Sequence, residues 1–325
     1  MQPLKEEIAQ ANLKMEGWLF EPKFDGTSSV DGKIDGKVYI VNREGVHYEG
    51  RNNLPEIVED LAKFPDNTVV QGELCFFNIQ GEAEFRGSQV RCSTQHLDLV
   101  KVKQYPITLM AYTILMLNGE NLEQKTELER KEILKKLIEE HDFKSIRYTE
   151  HVLNDGTEMY AKATEGIVAK KIDGRYIHTR SHGWLKKKKK QTETFNVIGW
   201  TLGQGKRSDK FGALVLTQDG KYVGNAGTCR RFNDADLIRI GKVLKASPVV
   251  PKTISPREVG EPYTAIATTL KAKVEFTRWT PDHHIREPII IGIEGEEENS
   301  VSKENVDEPK QMTMDYLVFK GDIAF

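Results

Sequence analysis

The 325-residue sequence predicts an α+β protein of two domains, in which antiparallel sheets with flanking helices are followed by a smaller β-barrel. A chain of this length suits two domains. Strand-like and helix-like segments alternate as far as residue 190, whereas short strand-like segments dominate afterwards. The change coincides with the lysine-rich stretch 186–194. We therefore expect domains at 1–190 and 191–325, with a flexible acidic segment at 294–309.

The first domain is predicted to begin with a helix, because Leu4, Ile8 and Ala11 lie at helical spacing. A capping box formed by Thr126 and Glu129 predicts a longer helix that ends near residue 141. Shorter helices are expected at 55–61 and 157–163. Runs of β-branched and aromatic residues bounded by turn residues predict a strand–turn–strand unit at 18–46 and strands at 68–77, 107–117 and 166–169.

The second domain is predicted to be mainly β. One helix is expected at 237–244. Short strands with a single helix are typical of a small barrel, and the oligonucleotide-binding barrel is the commonest of that size. The residues 314–325 contain β-formers and predict an edge strand. The other expected strands lie at 195–200, 213–216, 222–223, 272–276 and 289–291.

Composition excludes several classes of protein. The three cysteines are scattered, without a Cys-x-x-Cys pair, which argues against a disulfide framework or a structural zinc site. No apolar run approaches the length of a membrane span, and the N-terminus lacks an apolar signal core. We expect a cytoplasmic protein without membrane contact. Lysine and arginine (47) nearly balance aspartate and glutamate (49), but the lysines at 186–190 and the acidic residues beyond 293 are segregated.

Lys23 is the candidate nucleophile. It lies in Glu21-Pro22-Lys23-Phe24-Asp25-Gly26, between a strand-like run and an Asp-Gly turn. A lysine normally titrates at about 10.4, so an attacking amine must be activated by burial, neighbouring cations or a bound metal. Taken alone, the hexapeptide fits a hairpin turn with an exposed lysine better than it fits a nucleophile.

Two glutamates are candidate metal ligands. Glu73 and Glu165 each lie beside a glycine and next to an apolar strand, at Gly72-Glu73 and Glu165-Gly166. Each could also be an ordinary solvent-facing strand residue. If both line one pocket, their hard oxygen ligands favour magnesium.

The lysine run at 186–190 is a candidate phosphate site. Because side chains alternate along a strand, Lys186 and Lys188 should share one face, while Lys187 and Lys189 stay in solvent. The run could instead be a solvated face or a localisation signal. Tyr112, in the apolar strand 107–117, could stack on a base or belong to the core. Arg43 lies near a turn, where arginine is usually exposed.

These segments, in this order, resemble the ATP-dependent DNA ligases of the covalent nucleotidyltransferase superfamily. The compact ligase modules of bacterial and archaeal end-joining systems are especially similar. The first domain is then a nucleotidyltransferase, or adenylation, domain. The matching segments are Glu21–Gly26, Arg43-Glu44-Gly45, Gly72-Glu73, Tyr112, Glu165–Val168 and Trp184–Lys188, followed by barrel segments up to residue 293.

The resemblance implies a role for each matching residue. Lys23 is the adenylated lysine, Glu73 and Glu165 hold the metal, and Tyr112 stacks on adenine. Further nucleotide contacts are assigned to Glu21, Arg43, Glu73, Lys186 and Lys188. DNA or phosphate binding is assigned to Arg286, Lys206 and Arg207.

The resemblance also implies cofactors and partners. ATP with Mg²⁺ or Mn²⁺ would supply AMP as a covalent adduct, and the substrate would be nicked duplex DNA. The partners would be an end-joining primase-polymerase and an end-binding protein. We expect a monomer in the cytoplasm, associated with the nucleoid.

Three positions depart from the family pattern. Ser28 stands where an arginine is usual, and Thr113 stands where an acidic residue is usual. The last motif continues past Arg286 to Ile293-Glu294-Gly295-Glu296 in place of its basic end. The altered last motif leaves a non-catalytic nucleic-acid-binding relic as one alternative hypothesis. An RNA ligase and a GTP-using capping enzyme are the others, because the sequence distinguishes neither DNA from RNA nor ATP from GTP.

Overall fold

The computed structural model describes residues 13–96, 98–179, 181–205, 210–228, 232–280 and 282–295. The chain divides into two compact units. The first contains Met1–Gln191 and Thr277–Trp279, and the second contains Thr192–Phe276 and Thr280–Phe325. The predicted opening helix, the acidic residues 296–309 and the predicted strand at 314–325 lie outside the described residues.

The first unit contains two sheets. A six-stranded sheet has the order β3-β2-β4-β5-β6, with β7 alongside β5, and a four-stranded sheet has the order β10-β9-β1-β8. All described pairings in the two sheets are antiparallel except β5 with β7. The strands are β1 (Lys14–Pro22), β2 (Thr27–Ile34), β3 (Lys37–Asn42), β4 (Thr68–Phe76), β5 (Ile107–Leu117), β6 (Glu120–Asn121), β7 (Ile146–Tyr148), β8 (Val152–Asp155), β9 (Gly166–Lys171) and β10 (Trp184–Lys188).

Helices cover one face of the six-stranded sheet and bury its apolar residues. Leu61, Cys92 and Leu134, from three different helices, pack on the sheet residues Val70 and Leu109. The predicted capping box at Thr126 and Glu129 is confirmed. The sequence did not predict α2 and α3. The helices are α1 (Pro55–Leu61), α2 (Phe85–Ser93), α3 (Leu99–Gln104), α4 (Glu127–Glu139) and α5 (Thr157–Lys162).

The second unit is a closed barrel. Its strands follow the order β12-β13-β18-β15-β11, and β11 also pairs with β12, which closes the circuit, while β14 adds to β11. The predicted helix is present as α6 (Asp234–Ala246), and a short α7 (Pro256–Val259) follows. The strands are β11 (Gln191–Leu202), β12 (Phe211–Gln218), β13 (Lys221–Thr228), β14 (Tyr263–Ala265), β15 (Lys271–Phe276), β17 (Ile285–Arg286) and β18 (Ile289–Glu294), whereas β16 (Arg278–Trp279) belongs to the first unit.

Among the described residues, no helix is both long and apolar enough to cross a membrane.

Asp31 is a buried carboxyl group in the centre of β2. It is 1% exposed, its Oδ2 accepts a hydrogen bond from the Ser29 hydroxyl at 2.7 Å, and its Oδ1 has no hydrogen-bond partner among the described residues. Burial raises the pKa of Asp31 to about 8. The folded protein therefore holds a proton here that the unfolded chain releases near pH 4.

Asp31→Asn should remove a pH-dependent part of the stability. Because the folded pKa of Asp31 exceeds the unfolded one, its contribution is complete below about pH 4 and is lost as the pH rises through about 8. The free energy of unfolding, measured in urea at pH 5 and pH 8, should fall more steeply for the wild type, by up to about 1.4 kcal/mol per pH unit. Equal slopes for the two proteins would contradict this account.

Candidate active site around Lys23

The main chain fixes the position of Lys23 directly after β1. β1 and β9 pair with Pro22 opposite Ile167, and the Lys23 N–H donates to the Gly166 carbonyl at 2.9 Å. The Lys23 Nζ then donates to Glu165 Oε1 at 2.7 Å. The side chains of the pair are 22% and 12% exposed. The candidate nucleophile is therefore held by neighbouring strands, accessible but largely shielded from water.

Gly26 allows β2 to approach β4 closely. A Cβ at this position would lie 2.4 Å from the Leu74 carbonyl oxygen and 2.9 Å from Glu73 Cγ. The Gly26 N–H also forms a hydrogen bond to the Glu73 carboxylate. A side chain here would push Glu73 away from Lys23, so the glycine is required by space.

Glu73 and Glu165 form a carboxylate pair whose charges interact with each other and with Lys23. Burial raises the pKa of Glu73 to about 8; the Lys23 ammonium opposes this shift and the Glu165 carboxylate adds to it. Burial also raises the pKa of Glu165. Both groups would be stabilised in their charged form by an additional cation.

The carboxylate pair suits a divalent metal. Glu165 Oε2 is buried without a hydrogen-bond partner among the described residues. No cluster of three or more histidine, cysteine, aspartate or glutamate side chains suitable for a metal occurs in the described part of the chain. Magnesium commonly takes one or two protein carboxylates and completes its shell with water and substrate phosphates. Glu73 and Glu165 fit that ligand set.

Tyr112 lies on β5 beside a second aromatic ring. Its ring meets Trp184 edge to face, with the centroids 5.9 Å apart, and its hydroxyl lies 3.1 Å from the Ser28 hydroxyl. The buried Lys170 ammonium lies 4.7 Å from the Tyr112 ring centroid and 4.1 Å from that of Trp184. The departure at Ser28 therefore supplies a partner that orients Tyr112.

The lysine-rich strand β10 pairs with β9, and the side chains on one of its faces are less exposed than the sequence predicted. Lys186 and Lys188 are half-buried and lie opposite Val168 and Gly166. Lys187, expected in solvent, is 7% exposed, and its ammonium lies 5.4 Å from the Tyr160 ring centroid. The prediction for Lys187 was wrong because α5 covers that face. Lys189 also contacts α5, since its ammonium donates to the Ala161 carbonyl at 2.7 Å.

Glu21 lies in a buried ion cluster that the sequence did not reveal. Its carboxylate pairs with Lys131 at 2.6 Å and Lys170 at 2.7 Å, and Lys170 also pairs with Glu127 at 3.1 Å. Burial alone would raise the pKa of Glu21, but the two lysines outweigh it and lower the pKa. Lys131 and Glu127 lie on α4, far from Glu21 in the sequence, so no local motif predicts these ion pairs. A nucleotide contact of Glu21 stays a prediction.

The remaining predicted residues lie elsewhere. Arg43 is exposed and pairs with Glu44 at 2.6 Å, and this Glu44 contact, with a smaller contribution from the Glu73 charge, raises the pKa of Arg43. Thr113, the second departure, is buried and accepts a hydrogen bond from Arg130. Arg286 lies on β17, and Lys206 and Arg207 fall outside the described residues.

Comparisons with known proteins identify the class. A family model of the ATP-dependent DNA ligase domain matches residues 2–188. A multifunctional non-homologous end joining protein LigD of Mycolicibacterium smegmatis is 27% identical over 303 residues. That alignment covers 89% of this chain, which spans less than two-fifths of the relative's length (38%).

Solved structures agree on the fold. A Lig E DNA ligase matches with a TM-score of 0.62 at 14% identity, over 90% of this chain and 98% of that one. A mycobacterial DNA ligase D complexed with ATP and MES matches with a TM-score of 0.51 at 23% identity, over 90% and 94%. The class is thus a nucleotidyltransferase domain followed by an oligonucleotide-binding barrel, which confirms the predicted fold. The chain belongs to the ATP-dependent DNA ligase domain family, as its motifs predicted.

Gly26→Ala should damage the site through packing alone. The added methyl group would meet the Leu74 carbonyl oxygen at 2.4 Å. We expect the free energy of unfolding to fall by about 1–3 kcal/mol, as for other overpacked positions. Gly50→Ala is the matched control, because its Cβ would meet nothing within 4 Å. Urea unfolding of both variants measures the difference, and equal stabilities would refute the steric argument.

Proposed function

We propose that this protein seals nicks between a 5′-phosphate and a 3′-hydroxyl in duplex DNA, with ATP as the AMP donor and Lys23 as the nucleophile. The observation that carries the proposal is the pairing of Lys23 Nζ with Glu165 Oε1 at 2.7 Å in a site that also contains Glu73. A half-buried amine with a hydrogen-bonded carboxylate is the arrangement expected of an activated nucleophile.

The first step joins AMP to the protein. The Lys23 amine attacks the α-phosphorus of ATP, an N–P bond forms, and the bond to pyrophosphate breaks. Glu165 orients the amine by accepting its hydrogen bond. Tyr112 would stack on adenine, while Lys186 and Lys188 would neutralise the phosphates. Support for ATP comes from family membership and from the similar ligase D, which is complexed with ATP.

Two further steps transfer AMP and close the strand. An oxygen of the 5′-phosphate attacks the AMP phosphorus and releases the Lys23 amine. The 3′-hydroxyl then attacks the activated 5′-phosphate, which forms the phosphodiester and expels AMP. The oxygens on the reacting phosphorus carry negative charge in each step, so Lys186 and Lys188 would stabilise all three transition states.

Magnesium is the proposed cofactor, held by Glu73 and Glu165. When bound, it would supply a positive charge that stabilises the developing charge on the phosphates. Glu165 Oε2 has no hydrogen-bond partner among the described residues, and the pKa of Glu73 is raised to about 8; both observations support a cation at this position. Manganese, with similar ligand preferences, could replace it.

We further propose a role in end joining, as a cytoplasmic, nucleoid-associated monomer. The basis is the likeness to a LigD protein described as multifunctional in non-homologous end joining. A primase-polymerase and an end-binding protein are the proposed partners. DNA should be held mainly through its phosphates, so that binding weakens as salt rises.

Lys23→Ala should abolish covalent labelling by ATP carrying ³²P at the α-phosphate, because the variant lacks the attacking amine. Lys135→Ala is the control, since Lys135 is an exposed residue of α4. Wild type and control should label in the presence of magnesium and pass the label into sealed DNA when nicked duplex is added. Labelling of Lys23→Ala on a denaturing gel would sink the mechanism. Labelling by GTP in place of ATP would favour the capping alternative.

Glu165→Gln should weaken the response to metal, because the amide keeps the shape of the side chain and loses its charge. We expect labelling to need roughly tenfold more magnesium. Glu139→Gln, on the exposed side of α4, should behave as wild type. Labelling that persists in EDTA, or identical magnesium titrations for all three proteins, would exclude Glu165 as a metal ligand.

A further inference from the structure

A tight hairpin beside Lys23 presents an isoleucine to solvent. Ile79 is 97% exposed, more than any other large apolar residue in the described part of the chain. It lies between Phe77 and Ala83, which form a β-bridge at the base of the hairpin. Single exposed apolar residues are common on proteins. Ile79 differs from such residues because hydrogen bonds order its hairpin and because the base of that hairpin packs beside Lys23.

Hydrogen bonds hold the tip of the hairpin in one conformation. Asn78 Oδ1 accepts from the N–H groups of Gln80 and Glu82, each at 3.0 Å. The Asn78 N–H donates to the Glu82 carbonyl, and the Gly81 N–H donates to the Asn78 carbonyl. Gly81 has a φ of +78°, which glycine adopts without strain. Ile79 is therefore presented by an ordered turn.

The base of the hairpin reaches the candidate nucleophile. The Phe77 ring packs edge to face on Phe24, with the centroids 5.9 Å apart, and Phe24 is the residue after Lys23. The two rings form a wall shared by two cavities of about 450 and 590 Å³. The smaller cavity also includes Lys23 in its lining. The hairpin that carries Ile79 is thus packed, through Phe77, against the residue that follows the nucleophile.

A cation lies across the larger cavity. Arg147 on β7 lines it, is exposed, and makes no ion pair with any described residue. The register of the sheet places Arg147 beside Met110, and Met110 beside Glu73, in one row across three strands. Lys144 lines the same cavity and makes a loose, exposed pair with Glu59 at 3.6 Å. Glu56 also lines this cavity, and its carboxylate forms an ion pair with Arg91 at 2.9 Å.

We infer that Ile79 is an apolar wedge that packs against the bases at the nick, while Arg147 binds a phosphate of the same DNA. This inference rests on the proposed function and assigns the surface that presents the broken strand to Lys23. Proteins insert isoleucine and similar residues at base steps, where the partly unstacked bases cover the apolar side chain. A nick is a favourable step, because one backbone is already interrupted.

The chemistry of the surface favours DNA over a free nucleotide. An apolar tip on a hairpin whose base carries aromatic rings suits stacked bases, and the cations Arg147 and Lys144 suit a backbone. A free nucleoside phosphate could fill the larger cavity, but it would leave Ile79 in water. Substitutions of Ile79 therefore distinguish DNA from a free nucleotide as the ligand of this surface.

The first test compares Ile79→Ser, Ile79→Leu and Ile177→Ser, the last being the same change at another exposed isoleucine. Covalent labelling by ATP without DNA should be equal in all of them. The KM for nicked DNA should rise on the order of tenfold for Ile79→Ser, because serine cannot make the apolar contact with the bases. Ile79→Leu, which keeps an apolar side chain, should have the KM of the wild type. 2-Aminopurine placed at the nick should brighten when wild type binds and should stay dim with Ile79→Ser.

The second test uses Arg147→Ala. Loss of one phosphate contact should reduce the slope of log affinity against log salt by about one, with unchanged labelling by ATP. A wild type that labels and seals, with variants that match it in KM, fluorescence and salt slope, would overturn the wedge and leave the proposed function intact. An Arg147→Ala variant with a raised KM for ATP, together with an Ile79→Ser variant that matches wild type, would assign the larger cavity to a free nucleotide. A wild type that never labels would instead refute the proposed function.

Discussion

The hydrogen bond between Lys23 Nζ and Glu165 Oε1 is the constraint on which the rest of the site depends. It joins the end of β1 to the start of β9, and the main-chain bond from Lys23 to Gly166 fixes the same two segments. Glu73 enters from the other sheet and is held there by the Gly26 amide. The two sheets therefore bring two carboxylates to one amine. Neither sheet could assemble this group of charges alone.

The charges in the site are supported by a second, buried layer. Glu21 is two residues before Lys23, yet it pairs with Lys131 and Lys170 inside the protein. Lys170 also lies beneath the rings of Tyr112 and Trp184, so this layer contacts the surface proposed to stack on adenine. Removing one partner of a buried pair leaves an uncompensated charge, which is strongly destabilising. The cluster therefore links β1, the strand before Lys23, to the Tyr112 and Trp184 rings and to α4.

Sequence patterns predicted the parts of this protein that depend on local chemistry. The capping box of α4, the apolar strand β5 and the barrel in the second unit follow from spacing and propensity, and the ordered motifs indicated Lys23, Glu73 and Glu165. Patterns could not predict the long-range pairs. Lys187 was expected in solvent because alternation says nothing about α5 covering that face. Ile79 and Arg147 carry no motif, and their shared surface arises from sheet register and a tight hairpin.

Peptide mapping by mass spectrometry after incubation with ATP and magnesium would test the central claim most directly. The account predicts a single AMP adduct on the peptide that contains Lys23, formed without DNA and lost when nicked duplex is added. An adduct on the lysines 186–190, or a protein that seals nicks without any adduct, would contradict it.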